Sequence, residues 1–346
     1  MIRVLYVHEY GAPEHSRALD YMVECGSIRL TRLELSVLRD VAKGFLRQDG
    51  RLLRRAVYNI GILIALPFIR FDIAFVAVPP WDPRLALSLI LRTPRCYLHT
   101  SWSRWGVGHG VRFRRSAWLR SLWLWLLRTR FAGIAGVSRL ATTSVLDVVG
   151  KELDAWTVGH ALDPFFFEGS LDGARDIDFV YVGRVVPEKG IEEFVCLAEQ
   201  YPSYAFAVVG DGRLRSHLSA DAPANLQFMG RLPSREVAAV LRRSRFLLQL
   251  SKSTETWVES FCLSIVEAMA SGCIPVSTPE PGPLEVIEDG VDGIVLPSID
   301  SLHKFAERAS EVERDFDRCD LRRSADRFSE ASRARVWESI VKSETD

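Results

Sequence analysis

The sequence predicts two successive α/β domains, each a doubly wound parallel sheet, on three observations. The chain has 346 residues, which corresponds to two domains at roughly 150 residues each. Short apolar runs alternate with helix-patterned segments along nearly all of it, as expected of parallel strands joined by crossover helices. One polar stretch bearing Gly and Asp, "EGSLDGARDID" (Glu168–Asp178), breaks that rhythm near the middle and reads as an interdomain linker.

The elements follow in order. "VLYVHEY" is a short apolar run without a small-residue cleavage site, so it reads as a first buried strand and not a signal peptide. "EHSRALDYMVEC", apolar at Leu19, Met22 and Val23, reads as a helix, and the alternating "SIRLTRLEL" as a strand. "AVYNIGILIALPFI" (Ala56–Ile69) is the longest uncharged run. It falls short of the roughly 17–25 residues that cross a bilayer and reads as a buried helix. "FDIAFVAVPP", "PRLALSLILR" and "RCYLHTSW" repeat strand, helix, strand, and "FAGIAGVS" and "AWTVGH" add two strands. This places a first domain at 1–167, the linker at 168–177, a second domain at 178–325 and a terminal segment at 326–346. In the second domain "FVYVGRV", "YAFAVVGDG", "LQFMGR", "FLLQLS", "CIPVSTP" and "GIVLP" are the strands. The last segment has helical spacing through Val336, Ile340 and Val341 and reads as a terminal helix.

Composition narrows the partners. Lys+Arg and Asp+Glu both number 44, so no global field draws the chain to nucleic acid. The six cysteines show no CxxC or His-paired spacing, which argues against a structural zinc site or a disulfide framework and fits a reducing cytoplasm.

Chemistry is concentrated in the second domain. In "ESFCLSIVEAMASG" (259–272) two carboxylates, Glu259 and Glu267, interrupt an apolar stretch. Glu259 falls in the loop leaving the strand "FLLQLS", and Glu267 on the helix closed by Gly272. Loops at strand carboxyl ends are where ligands bind in such sheets. Glu259 could equally cap the helix, and Glu267 could be an ordinary surface carboxylate. Arg184 and Lys189, in "VGRVVPEKG", could bring two cations to one diphosphate beside the N-terminus of the helix that starts near Gly190; a solvated loop is the plainer reading of such a pair taken alone. His99 ends the strand "CYLH", at a place that suits a structural or a functional histidine. His8 and His160 carry no assignment.

These stretches resemble the retaining family-4 glycosyltransferases. Glu259 and Glu267 match the family's E-x7-E motif, followed by "AMASGCIPVSTP". "VGRVVPEKG" (Val182–Gly190) resembles the donor-diphosphate loop, "VVGDG" (Val208–Gly212) the second glycine turn, and "PGPLEVIEDGVDGIVLP" (Pro281–Pro297) the following loop and strand. In the first half "CYLHTSW", "AGVS" and "VGHALDPFFF" resemble the segments with the cleft histidine, a strand-end serine and the approach to the linker. The resemblance implies the GT-B fold: two Rossmann-like domains facing a central cleft, with the terminal helix crossing back to the first.

It implies transfer of a sugar from a nucleotide-diphosphate sugar to an acceptor, with retention, by front-face attack and without a metal or bound cofactor. Gly183, Arg184, Lys189, Gly210, Gly212, Glu259, Ser260, Phe261, Cys262, Leu263 and Glu267 would hold the donor, Glu267 through the ribose diol. His99, Arg184, Lys189 and Glu259 would surround the reacting centre. The chain departs from the pattern in three places. Gly11 stands alone where a Gly-Gly pair is common, Ser260-Phe261-Cys262 replaces Gly-Phe-Gly, and His160-Ala161 replaces Asn-Gly ahead of the matching Asp163. A sugar-nucleotide epimerase or hydrolase of the same fold, or a catalytically silent scaffold, are the competing readings.

One charge asymmetry remains. Between Asp82 and Asp147 there are 11 arginines and no acidic residue. The 104–130 tract interleaves Arg with Trp105, Trp118, Trp123 and Trp125, a composition that fits a helix lying on an anionic membrane surface. It places the protein at the cytoplasmic face of a membrane, with a glycan or lipid-linked acceptor held there. A buried helix whose arginines are paired elsewhere is the alternative.

Overall fold

The computed structural model describes residues 1–9, 15–105, 117–150, 152–255 and 257–343. The chain forms two compact units, Met1–Ala161 together with Arg333–Asp346, and Leu162–Ser332.

In the first unit the order is β1 (Ile2–His8), α1 (Arg17–Glu24), β2 (Ile28–Glu34), α2 (Val37–Arg47), α3 (Gly50–Ala65), β3 (Ile73–Ala77), β4 (Arg95–Thr100), α4 (Ala117–Arg130), β5 (Gly133–Gly136), α5 (Arg139–Val149) and β6 (Asp154–Thr157). The six strands lie in the order β2-β1-β3-β4-β5-β6, every pair parallel. The central parts of β1, β3 and β4 are buried on both faces because helices cover both sides of a parallel sheet. One of those covers is the end of the chain. In α13 (Glu330–Lys342) the side chains of Trp337, Ile340 and Val341 are buried. Trp337 meets Phe75 edge-on at 4.8 Å.

The second unit runs β7 (Ile177–Val182), α6 (Ile191–Gln200), β8 (Phe206–Val209), α7 (Arg215–Ala220), β9 (Leu226–Gly230), α8 (Ser234–Arg243), β10 (Ser244–Gln249), α9 (Leu263–Ala270), β11 (Ile274–Ser277), α10 (Pro281–Val286), β12 (Ile294–Val295), α11 (Leu302–Val312) and α12 (Arg318–Ala325). Its parallel sheet has the order β12-β11-β10-β7-β8-β9. The chain therefore winds outward from β7 in both directions, the Rossmann order, and its topological switch point lies between β7 and β10.

Four sequence expectations need correction. The boundary falls between Ala161 and Leu162, ahead of 167/168, because Leu162 and Phe166 pack in the second unit's core. The stretch read as a linker is irregular but fastened to that unit: Arg242 donates to the Glu168 carbonyl at 3.3 Å, Arg322 to Gly169 at 2.9 Å and Arg318 to Leu171, and Arg243 and Arg175 pair with Asp176 and Glu313. Backbone without a ladder must find other partners, and guanidinium forks supply them.

The run Ala56–Ile69 is not a buried helix, since α3 buries only Ala56 and Asn59 and leaves Val57, Tyr58, Ile60 and Ile64 exposed to solvent. The Arg/Trp tract is the reverse case. Trp105, Trp123, Leu126 and Leu127 are core residues. Arg128 donates to the Val149 carbonyl at 2.8 Å, Arg130 to those of Ser88, Leu91 and Thr93 at 3.0–3.1 Å, and Arg120 stacks over Trp81. Of this tract Trp118 and Trp125 stay exposed, while Arg112, Arg114 and Arg115 lie outside the described residues, as does Gly11. Smaller differences are a 3₁₀ stretch at Pro83–Leu89 and the short α10, where an α-helix and a loop were expected.

Because Trp337 fills the space between Phe75 and His99, Trp337→Ala should leave a large cavity and cost about 3–5 kcal/mol of stability. Urea unfolding of the variant checks this, and a loss below about 1 kcal/mol would show that α13 is not part of the first unit's core.

Candidate active site

The loops leaving β7 and β10 meet at the switch point of the second unit. After β7 the chain passes through Gly183-Arg184-Val185-Val186 into a 3₁₀ turn at Pro187–Lys189 and then Gly190, which begins α6. Gly190 has φ +69°, and a Cβ there would overlap the carbonyl oxygen of Leu250, just past β10. Glycine is thus what allows the two loops to touch. Gly210, at φ +145°, does the same beside the Gly183 carbonyl, and Gly212 abuts the Val185 backbone.

That contact delivers Lys189 to Glu259, and the two form an ion pair with side chains only 15% and 11% exposed. Around the carboxylate, Ser251 Oγ donates to Oε2 at 3.1 Å and Gln249 Nε2 to the same oxygen at 3.3 Å. Ser264, in the first turn of α9, donates to Gln249 Oε1 at 3.1 Å. Among the described residues, the bonds to the carboxylate converge on Oε2. Oε1 takes none among the described residues. Lys189 also lies 5.0 Å from the Trp257 ring centre, and Arg184 6.0 Å from it on the exposed side. Glu188 stands 3.7 Å from Arg184 and 3.6 Å from Arg213, collecting cations at the rim. Among the described residues no group of three or more His, Cys, Asp or Glu could hold a metal ion.

The sequence-predicted residues separate into groups. Lys189 and Glu259 are brought together, with Arg184 at the edge. Glu259 is not a helix cap, for α9 begins at Leu263 with Cys262 as its N-cap residue, held at φ 65°. Phe261 is core, packed edge-on against Phe328 at 5.8 Å, so only its backbone is offered to a ligand. Ser260 and Leu263 flank it, both half-buried, and Glu267 sits half-buried on α9. Burial, with Glu259 adding, pushes the Cys262 thiol up to about 12, which leaves it protonated and unreactive near neutrality. The sequence reading missed Gln249, Ser251 and Trp257. Two polar residues at alternate positions where the apolar strand "FLLQLS" ends were the available signal. It also missed Gly282, whose N–H donates to the Glu259 carbonyl at 2.9 Å.

The first unit has its own site at its switch point, between β1 and β3. A cavity of about 600 Å³ is lined by His8, Glu9, His15, Glu34, Arg55 and His99, among others. His99 is 1% exposed, with Tyr6 Oη 2.8 Å from its Nδ1, and its buried Nε2 has no hydrogen-bond partner among the described residues. Burial, with His15, His160 and His8 adding, holds its imidazole well below the usual histidine range. His160 meets His15 edge-on at 4.7 Å between ring centres. Ser138, the strand-end serine, is the N-cap of α5 and accepts from Ala141 N–H at 3.1 Å.

Two Rossmann-type units of this topology define the class, the GT-B fold. HepE of Anabaena, solved in complex with UDP, superposes with a TM-score of 0.68 at 14% identity, covering 99% of this chain and 100% of that one. Residues 165–335 match the family described as glycosyl transferases group 1. A GDP-mannose-dependent alpha-mannosyltransferase of Corynebacterium glutamicum is 31% identical over 122 residues, 35% of this chain and 27% of the relative. One component of the phosphatidylinositol N-acetylglucosaminyltransferase of Homo sapiens is 30% identical over 162 residues, 44% of this chain and 32% of the relative. The chain thus spans about a third of the length of the curated relatives it matches.

His99 is neutral in the folded protein, whereas an unfolded chain takes up its proton near pH 6.5. The native state therefore binds fewer protons below that pH, so the contribution is whole above it and is lost as pH falls toward the depressed native value. The unfolding free energy followed downward from pH 6.5 should drop with a slope of up to about 1.4 kcal/mol per pH unit for this one proton. His99→Gln should make the decline shallower, and an unchanged slope would exclude His99 as its source.

Proposed function

We propose that the protein is a retaining glycosyltransferase that binds a nucleotide-diphosphate sugar in its second unit and passes the sugar to an acceptor bound by the first. The observation that carries this is the Lys189–Glu259 pair at the switch point, with three donors on Oε2 and, among the described residues, none on Oε1. Lys189 and Arg184 supply positive charge for a diphosphate. The dipole of α6 is already partly answered by Glu192 and Glu193 in its first turn, so the two side-chain cations contribute more than the helix end. Charge accumulates on the departing phosphate as the glycosidic bond breaks, and cations fixed beforehand act most strongly there. Glu259 Oε1 is left to accept from a donor-sugar hydroxyl, and Glu267 from the ribose.

Retention then needs no protein nucleophile: the acceptor attacks from the face the phosphate leaves, and the phosphate takes its proton. Neutral His99, whose buried Nε2 lacks a partner among the described residues, suits a hydrogen bond to the reacting sugar in a way a charged imidazole would not. The acceptor reading is a lipid-linked or membrane-held glycan, and the protein works at the cytoplasmic face. Support comes from the phosphatidylinositol N-acetylglucosaminyltransferase relative and from apolar side chains the first unit leaves in solvent. The names of the relatives and the structural neighbour bring forward GDP- and UDP-linked donors.

Lys189→Met and Glu259→Gln should each lower transfer a hundredfold or more, since one contact strengthened in the transition state is worth about 3–4 kcal/mol. Gln keeps hydrogen bonds to Ser251 and Lys189, and so separates loss of charge from loss of fold, which circular dichroism would verify. Near-native turnover of either variant would remove the pair from the site.

Activity should also persist in EDTA, because lysine and arginine occupy the place of a metal at the diphosphate. Loss of transfer on chelation, restored by Mn²⁺ or Mg²⁺, would overturn this account of donor binding.

A further inference from the structure

The first unit exposes a group of large apolar side chains on two adjacent helices. Phe45 and Leu46 close α2 at 71% and 85% exposure, and Ile64 and Phe68, near and just beyond the end of α3, are at 68% and 78%. Val57, Tyr58 and Ile60 are exposed between them. Arg54, Val57, Gly61, Ile64 and Phe68, all exposed, recur at steps of three and four and so form one stripe along α3. Single exposed leucines are ordinary on a soluble surface, but a run of this kind is not.

The charge on the same hairpin is one-sided. Residues 37–70 hold seven basic and two acidic side chains. Asp40 is already taken by Arg55, at 2.8 Å from Nε and 2.7 Å from Nη2. Arg51 and Arg54 stand exposed at the start of α3 without an acidic partner among the described residues. Cations beside phenylalanine, leucine and isoleucine complement an anionic interface that accepts both phosphate and acyl chain. The helix also continues into the first unit's cavity, which Arg55, Tyr58 and Asn59 line. Tyr58 belongs to both surfaces.

From these observations we infer that the α2–α3 hairpin is the docking surface for an anionic lipid bilayer and presents the cavity of the first unit to a membrane-held acceptor. This rests on the acceptor reading given above and moves the contact away from the Arg/Trp tract. The bilayer would receive Phe45, Leu46, Ile64 and Phe68, while Arg51 and Arg54 meet lipid phosphates.

The test is sedimentation of the full chain with vesicles of phosphatidylcholine, alone or mixed with phosphatidylglycerol. Three variants accompany the wild type: Leu46→Ser with Ile64→Ser and Phe68→Ser, Arg51→Glu with Arg54→Glu, and Trp118→Ser with Trp125→Ser. Wild type should bind the anionic vesicles at least tenfold more tightly than neutral ones. The serine and glutamate variants of the hairpin should each weaken that binding tenfold or more, and the tryptophan variant should bind as wild type does. Salt should reduce binding without abolishing it, since the apolar part is not screened.

Absence of wild-type binding, wild-type pelleting by the serine variant, or loss confined to the tryptophan variant would overturn the inference. So would lipid-free self-association that the serine variant abolishes, which would give the face to a second copy of the chain. Thermal stabilisation by UDP or GDP, read on the same proteins without vesicles, keeps the two readings apart. Its retention in the hairpin variants is expected, and its absence from wild type would count against the transferase reading while leaving the sedimentation result to stand by itself.

Discussion

The close approach of two loops at Gly190 is the constraint on which the second unit's site depends. Lys189 and Glu259 lie 70 residues apart, and neither alone would tolerate so little solvent. A carboxylate or ammonium taken from water costs several kcal/mol unless it is paired and hydrogen-bonded. Here the lysine answers the carboxylate, and Ser251 and Gln249 complete its shell at a single oxygen. Gln249 is in turn held by Ser264 on α9, so the pair is tied to β10, its loop and the following helix together. The site is therefore set by backbone contact first and by charge second. A side chain at position 190 would separate the loops before it altered any electrostatic interaction.

A second recurring device is arginine used as backbone glue. Arg128 and Arg130 satisfy carbonyls near the ends of α5 and of the 3₁₀ stretch in the first unit. Arg242, Arg318 and Arg322 do the same for the irregular segment after Phe167, and Arg327 for Val286. Guanidinium is weakly hydrated and presents several donors in a plane, so it can bridge carbonyls that no ladder reaches. Burial among like charges even depresses Arg318 and Arg322 from the ordinary arginine value, with desolvation the main cause. Several of the chain's arginines are thus structural, and their density says little about a polyanionic partner.

This explains which parts of the molecule could be read from sequence. Strands were legible because a doubly wound sheet buries both faces, and a run such as "FVYVG" has no other comfortable place. Lys189 and Glu259 were legible because their spacing lies within recognisable loops. Their direct pairing was not, since it depends on a φ at Gly190 and on a strand order that local pattern does not contain. Helices misled in both directions. The residues of α4 carry arginine and tryptophan and look interfacial, but Trp123 donates its indole N–H to the Asp82 carbonyl at 2.7 Å and is core. The residues of α3 carry no charge after Arg55 and look buried, but lie half in solvent.

The exchange between those two helices has a common physical origin. Hydropathy sums a segment, whereas burial depends on what packs against each face, and a helix with one covered side obeys only half of the sum. α4 has the 3₁₀ stretch and α5 to cover it, and its basic side chains find carbonyls at its end. α3 is covered by α2 and β2 at Ala56 and Asn59, where the Asn59 side chain accepts from the Glu34 N–H at 3.0 Å. That single buried amide fixes which face turns inward. With Asn59 against β2, and Arg55 four residues earlier drawn to Asp40 and Glu34, Val57, Ile60 and Ile64 must point outward. The orientation of the stripe is thus set by the polar contacts on the other side of the helix, Asn59 against the Glu34 backbone and Arg55 against Asp40 and Glu34.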